Sequence, residues 1–455
     1  MQLPPALIGS LQNVNGFNQL SFEKVHQSGE QVTSVRLNPN KKNDGLVFDI
    51  EGNVPWASNG LYLKERPSFT IDPMFHAGAY YVQEASSMFV EQALQQSIDL
   101  SRPIKILDLC AAPGGKSTLI QSLITADSLL VSNEVIKARA GILTENIAKW
   151  GAANTIVTNN DPKDFQRLQN YFDAIVVDAP CSGSGLFRKD PWAIEEWSEN
   201  NVQLCSQRQQ RILADILPAL KPGGILIYST CSYSTEEDEA IADWLISDCQ
   251  LSSVNLQLKT DWNIIETISP IHRAYGYRFY PDKVKGEGFF IGVFSKVAES
   301  TVQHNEKIPK SKSEKLPAKE IDIVSPFLQN PTAFFYIKQK EDILALPQHL
   351  QQELAFIQSA LYIKKAGIKL GTIIRDELIP DHELAVSNII HQQIAAVELD
   401  LPNALQYLRK QEIKIESQKK GWLLVTYRHL PLGWVKILVN RVNNYYPKEW
   451  RIVNK

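Results

Sequence analysis

Between about residue 100 and residue 295, short apolar runs alternate with stretches of helical spacing. The runs are IKILDL (104–109), SLLVSNE (128–134), NTIVTNN (154–160), DAIVVDA (173–179) and GILIYST (224–230). KSTLIQSLI, KARAGILTENIAKWG and QRQQRILADILPALK lie between them. Strands alternating with helices at this interval predict a parallel sheet in a doubly wound α/β fold. FFIGVFSK, residues 289–296, is expected to add an antiparallel edge. Ligands of such sheets bind beyond the carboxyl ends of the strands. That edge collects Asp108, Glu134, Asp161, Asp178 and, after the fifth run, Thr230-Cys231-Ser232. Any one acid after a strand can be a helix cap or turn residue; five such ends together point to a site.

The flanks read differently. Residues 1–70 show mixed short strand signals broken by Asn, Gly and Pro, the pattern of a small α+β module. The catalytic candidate spans 71–300. Residues 301–320, TVQHNEKIPKSKSEKLPAKE, hold five Lys, three Glu, two Pro and no aromatic residue, a composition expected of a linker. Residues 321–455 form a C-terminal region. The net charge is -3, yet residues 401–455 hold 11 Lys/Arg against 3 Asp/Glu. A basic end on an acidic body suits a polyanionic partner; the plain alternative is a solvated surface. The near-neutral total excludes a histone-like polycation.

Five cysteines, an odd number with no CxxC pair, argue against a disulfide framework and against zinc, and no metal site is expected. The first residues lack a basic-then-apolar leader, and no apolar run approaches the ~20 residues of a membrane span. The expectation is a cytoplasmic, monomeric protein with free thiols and no membrane partner.

Cys110-Ala111-Ala112-Pro113-Gly114-Gly115-Lys116-Ser117 joins the first strand to a helix. It is not GxGxxG. As a phosphate loop it fails, because Cys110 stands where the first glycine is required. A zwitterionic cofactor without phosphate, S-adenosylmethionine, uses more of the residues. The loop would take its amino-acid end, Glu134 its ribose hydroxyls and Asp161 its adenine amine. Cys181 in DAPCSGSG and Cys231 in YSTCSYS follow neighbouring strands in Gly/Ser/Pro-rich turns, whereas Cys205 and Cys249 sit in helical patterns and are expected to pack. A thiol beside a methyl donor suits methylation of cytosine carbon 5, which becomes nucleophilic only after a thiolate adds at carbon 6. Asp178 is placed for ring nitrogen 3, and Lys116, Lys189 and Arg188 could supply positive potential.

The sequence resembles the NOL1/NOP2/Sun family of RNA cytosine-5 methyltransferases in YYVQEASSM (80–88), LDLCAAPGGKS (107–117), DAPCSGSGLFRKDP (178–191) and LKPGGILIYSTCSYSTEEDE (220–239). LGWVKILVNRVNNYYPKEWRI (432–452) is similar to the tail of bacterial members that act on ribosomal RNA. The resemblance implies a Rossmann-like S-adenosylmethionine-dependent methyltransferase domain with a PUA-like RNA-binding region after it. It implies Cys231 as nucleophile and Cys181 as the thiol that assists breakdown of the adduct, a division that spacing alone leaves open. It implies cofactor contacts from Cys110–Lys116, Glu134, Asp161 and Asp178. Position 110 departs from the family, many members of which have a small residue there. The implied partner is RNA, 16S rRNA or the small ribosomal subunit. A tRNA-directed member of the family and a non-catalytic RNA-binding assembly factor are the alternatives; binding alone would need neither Cys181 nor Cys231. Tyr445, Tyr446 and Trp450, among Arg441, Lys448 and Arg451, are candidates for stacking on exposed bases, or else close a C-terminal core. His76 is expected to be structural.

Overall fold

A computed structural model describes residues 2–42, 45–298, 314–415 and 419–453. The five apolar runs form the parallel heart of a 10-stranded sheet. Their strands are Lys105–Asp108, Leu129–Asn133, Thr155–Thr158, Phe172–Asp178 and Leu220–Thr230. Leu129–Asn133 and Thr155–Thr158 are buried at every residue, which is why they read as continuous rather than alternating apolar runs. Two hydrophobic cores cover the two faces. One gathers Leu107, Val131 and Ile175, the other Ile106, Leu130 and Val176.

Thr155–Thr158, Leu129–Asn133 and Lys105–Asp108 lie in that order, followed by Phe172–Asp178 and Leu220–Thr230. The chain thus reverses its direction of growth at Lys105–Asp108. The crevice between its carboxyl end and that of Phe172–Asp178 is the topological switch point where ligands bind. Phe289–Lys296 pairs antiparallel with Leu220–Thr230, as its composition suggests, and Tyr275–Phe279 and Ile265–Ile268 extend that side. The opposite edge holds a strand that the sequence did not announce. Ile363–Ala366, from the C-terminal region, pairs antiparallel with Thr155–Thr158.

The N-terminal module has two helices, Pro5–Leu11 and Gln19–Gln27, and a four-stranded sheet. Its last strand is Tyr80–Val82, so the sheet is completed beyond residue 70. Leu7, Leu11 and Phe22 share a core with Phe187, Tyr233 and Tyr280, placing the helices behind the cysteine-bearing turns. Each fully buried side chain of this kind contributes about 2 kcal/mol.

Residues 301–313 of the expected linker lie outside the described residues. Its end is not a linker: Glu314–Lys315 pairs with Phe334–Gln339, and Ala318–Val324 is helical. The lysines there alternate with apolar residues that reach a core, and Leu316 and Val324 are buried in it. The C-terminal region builds two sheets, one of five strands and one of four. The four-stranded one shares a core with the N-terminal sheet, through Val35, Tyr80, Tyr407 and Val435. Tyr446 is fully buried there, its hydroxyl 3.2 Å from His76 Nδ1. It closes the core and does not stack on RNA. Trp450 packs edge-on against His382, at 5.0 Å between centroids. Only Tyr445, edge-on to Trp422, keeps substantial exposure. His76 is held at its other nitrogen by the Thr70 carbonyl, 2.9 Å away.

Lys41 ties the three parts together. Its buried ammonium donates to the carbonyls of Ala77 (2.5 Å), Lys149 (2.7 Å) and Val386 (2.8 Å). Lys149 lies at the end of the helix Lys137–Trp150, where carbonyls lack intrahelical partners and favour a cation. Gly78 makes the approach possible, since a Cβ there would lie 2.0 Å from the Lys149 oxygen. Lys41→Met keeps the stem and strands three carbonyls. It is expected to cost about 3 kcal/mol, read as a fall in the urea midpoint; an unchanged midpoint would show that the junction does not depend on this ammonium.

Candidate active site

The first half of the site starts at Asp108, which is fully buried. Its Oδ2 accepts from Ser117 Oγ at 2.6 Å, and its Oδ1 has no partner among the described residues. Burial pushes this carboxyl up to about 7. The chain turns at Gly114, whose φ of 120° lies where side chains are strained, and enters the helix Gly115–Leu123. A cavity of about 180 Å³ opens against Cys110, Ala111, Ala112, Pro113, Gly115, Lys116 and Asp178. Its other wall is Tyr81, Val82, Gln83, Glu84 and Ser87, from the end of the N-terminal sheet and the turn that follows.

Of the residues expected here, Gly114 serves the turn and is not on the cavity wall, nor are Glu134 and Asp161. Glu134 is nevertheless connected to it. Arg139 reaches Glu134 Oε2 at 3.5 Å and donates to the Ala112 carbonyl at 2.8 Å. Glu134 also accepts from the backbone N–H of Ile136 at 2.8 Å. Asp161 caps the short helix Pro162–Arg167 by accepting from the Lys163 N–H at 3.2 Å. Arg36, buried under the cofactor-loop candidate, donates to Thr118 Oγ1 at 2.6 Å and to Gln83 Oε1 at 2.8 Å. It joins the cavity's two walls.

In the second half, Phe172–Asp178 and Leu220–Thr230 are parallel neighbours with Asp178 opposite Ser229. The turns after them bring Cys181 Sγ to 3.1 Å from Cys231 Sγ. The hydrogen bond to Cys231, then burial, raises the Cys181 thiol well above its ordinary value. Burial likewise pushes up Cys110. Asp178 bridges the halves. Its Oδ2 pairs with Lys116 Nζ at 2.7 Å and its Oδ1 accepts from Ser229 Oγ at 2.9 Å. Burial works against the charge on Lys116, and Asp178 holds its ammonium above the ordinary value regardless. Arg188 is committed elsewhere, 3.7 Å from Glu287 and bonded to the Gly286 carbonyl. Lys189 acts electrostatically on Glu287. Of the three cations considered from the sequence, Lys116 is the one that lines the cavity and interacts electrostatically with Cys231. Cys205 is buried in the helix Glu199–Ile216.

Glu237 escaped the sequence reading. It is fully buried and accepts four hydrogen bonds: Ser182 N (2.8 Å), Ser182 Oγ (2.5 Å), Ser232 Oγ (2.6 Å) and Gln209 Nε2 (3.1 Å). Ser182 follows Cys181 and Ser232 follows Cys231, so one carboxylate fastens both thiol-bearing turns. Burial raises its pKa while these donors oppose the rise. The second wall, Tyr81 to Ser87, was also missed. Both lie in stretches quoted for the resemblance, but neither carries a periodicity that would single out its polar residues. Glu237→Ala is expected to cost about 3 kcal/mol in urea unfolding, with Glu237→Gln losing less because its amide oxygen still accepts. Equal stability of both variants and the parent would remove Glu237 as the brace.

The comparisons agree across the chain. Residues 96–295 match the 16S rRNA methyltransferase RsmB/F family. Residues 3–85 match the N-terminal domain of 16S rRNA methyltransferase RsmF, and residues 395–452 match the methyltransferase RsmF PUA domain. Ribosomal RNA small subunit methyltransferase F of Shewanella woodyi is 31% identical over 412 residues, covering 87% of this chain and 84% of the relative. The Aeromonas salmonicida protein of the same name is 32% identical over 421 residues, covering 89% and 86%. A methyltransferase homologue from Pyrococcus horikoshii superposes with a TM-score of 0.52 at 28% identity, over 65% of this chain and 100% of that one. NSun6 from the same organism, at 20% identity and a TM-score of 0.53 over 65% of this chain and 99% of that one, shares the fold. With the RsmF-type N-terminal module, RsmB/F core and PUA domain present in one chain, this protein belongs to the family of the ribosomal RNA small subunit methyltransferases F.

Proposed function

We propose that this chain is an S-adenosylmethionine-dependent methyltransferase that forms 5-methylcytosine in small-subunit ribosomal RNA. The carrying observation is the pair of thiols, Cys181 and Cys231, 3.1 Å apart at the ends of adjacent parallel strands and beside the Lys116–Asp178 pair. The names of the relatives support the RNA substrate. The match to a PUA domain supports a C-terminal RNA-binding part, and we assign methyl transfer to the sheet at 105–296.

The residues at the switch point fit the cofactor. The turn at Gly114 and the start of the helix Gly115–Leu123 offer unpaired N–H groups beside the cavity. Asp108 Oδ1 is an unpartnered acceptor beneath them. Cys110, Ala111, Ala112, Pro113, Gly115 and Lys116 would hold the amino-acid end, with Glu134 and Asp161 toward the ribose and adenine. Bound there, S-adenosylmethionine supplies an electrophilic methyl group.

Cys231 Sγ, as thiolate, adds to carbon 6 of the cytosine. The ring loses aromaticity and carbon 5 gains enamine character as nitrogen 3 takes up a proton from water, which it gives back on elimination; Asp178 accepts a hydrogen bond from that N–H. After carbon 5 has taken the methyl group, its proton passes to water, the carbon 6–sulfur bond breaks with its electron pair returning to Cys231 Sγ, and the ring is restored. Cys181, whose thiol is held protonated by its neighbour and by burial, assists that release. Lys116 interacts electrostatically with Cys231.

Cys231→Ala is expected to abolish methyl transfer to 16S rRNA transcript, and substantial residual transfer would refute its role. Cys181→Ala is expected to accumulate a covalent protein–RNA adduct, seen as a retarded band on denaturing gels. If the band forms with Cys231→Ala instead, the two roles are exchanged. Bisulfite sequencing of the product tests carbon 5 as the position modified.

A further inference from the structure

The strand Ile363–Ala366 does more than close the catalytic sheet. Its register places Ile363 opposite Thr158, the last residue of its partner strand. The preceding residue, Tyr362, therefore stands at the carboxyl edge where the ligands bind. Its backbone is clamped there. Asn160 Oδ1 accepts from the Tyr362 N–H at 3.0 Å, and Asn160 Nδ2 donates to the Tyr362 carbonyl at 2.9 Å. The Asn159 N–H reaches the same carbonyl at 3.3 Å, while the Asn159 side chain donates to the carbonyls of Glu134 (2.6 Å) and Val135 (3.0 Å). One asparagine thus joins Tyr362 to the turn that carries Glu134.

With its backbone so fixed, Tyr362 is 66% exposed, and Val135 and Ile136 beside it are 54% and 50% exposed. Three large apolar side chains left in water on one rim call for a partner more than scattered ones do. Lys137 and Lys163 are exposed at the starts of the flanking helices, and neither has a carboxylate partner among the described residues. The neighbouring acids are engaged: Glu134 is buried near Arg139, Asp161 caps the helix Pro162–Arg167 by accepting from the Lys163 N–H, and Asp164 pairs with Arg167 at 3.1 Å. The rim combines aromatic and apolar faces with free positive charge.

We propose that this rim, five strand spacings of about 4.8 Å from the strand that carries Cys231, holds an unpaired segment of the RNA some nucleotides away from the target cytosine, with Tyr362 the platform on which one of its bases stacks. The inference rests on the reading of the chain as an RNA methyltransferase. A flipped or single-stranded target exposes its neighbours' faces, and aromatic stacking with flanking cations is how such strands are held without base-specific contacts. The C-terminal region then contributes to the substrate path along the ligand edge of the catalytic sheet as well as through its PUA domain.

The test uses the full chain, a naked 16S rRNA transcript, and the variants Tyr362→Ala, Tyr362→Trp and Lys137→Gln/Lys163→Gln. Tyr362→Ala is expected to raise the KM for RNA about tenfold, the scale of one base–aromatic stack, and Tyr362→Trp to keep it near the parent value. S-adenosylmethionine affinity by calorimetry and the melting temperature are expected to stay unchanged. The double lysine variant is expected to reduce the slope of log affinity against log salt by about 1.4. An unchanged KM in Tyr362→Ala overturns the inference. So does a loss of cofactor affinity, which would make the rim part of the adenine site, or a change in mass by light scattering, which would make it a protein interface. If the parent methylates no RNA, the functional reading fails separately. Filter binding of the transcript to parent and Tyr362→Ala still decides the role of the rim.

Discussion

The buried carboxylate of Glu237 is the constraint on which the chemistry depends. A parallel ladder fixes the spacing of Phe172–Asp178 and Leu220–Thr230 but not the conformation of the turns that leave them. Two hydroxyls and two N–H groups converge on one carboxylate and remove that freedom. Gly185 then threads between the turns. Its N–H donates to the Cys231 carbonyl at 2.8 Å, and a Cβ on it would come within 2.5 Å of the Gly288 oxygen. A second buried network supports the first from below. Arg278 donates to Glu239 at 2.7 Å and lies 3.1 Å from Asp238, which accepts from Thr230 Oγ1 at 2.7 Å. Glu237, Asp238 and Glu239 of STEEDE are therefore the scaffold of the thiol turn rather than a solvated charge run.

The electrostatics are economical. A cation near a thiol favours the thiolate, and three were available in sequence, but geometry admits one. Arg188 is spent on Glu287, a buried carboxyl that burial raises to about 6. Lys116 is itself secured by Asp178, so the one of the three cations that lines the cavity is part of the link between the two half-sites. The near-neutral total of the chain conceals this arrangement, because local pairing rather than net charge sets the potential at a buried site.

Much of the plan was legible because its signals are local. Five apolar runs gave five parallel strands. The adjacency of Cys181 and Cys231 followed from strand order and needed no contact information. What stayed hidden depends on long-range pairing. Ile363–Ala366 has two lysines in four residues and reads as surface, yet Lys365 is buried because its ammonium meets Glu383 at 2.6 Å. Tyr80–Val82 lies beyond an apparent boundary because the N-terminal sheet needs a strand from across it. Tyr446 and Tyr445 are neighbours with opposite fates, one in the core and one at the surface, and an aromatic pair carries no mark of which will be which. Glu237 looked like one acid among several, since its donors come from residues 28 to 55 positions away as well as from Ser232.

The strand Ile363–Ala366 also bears on how the chain comes to be folded at all. A ribosome releases Thr155–Thr158 long before its antiparallel partner exists. Until then, the nascent sheet presents a hydrogen-bonding edge of fully buried type, the kind that recruits foreign strands. The catalytic sheet thus waits for a distant segment to seal it. In this architecture the C-terminal region cannot be regarded as a detachable accessory: its removal would leave an aggregation-prone flank on the enzyme core, whatever it did to RNA recognition.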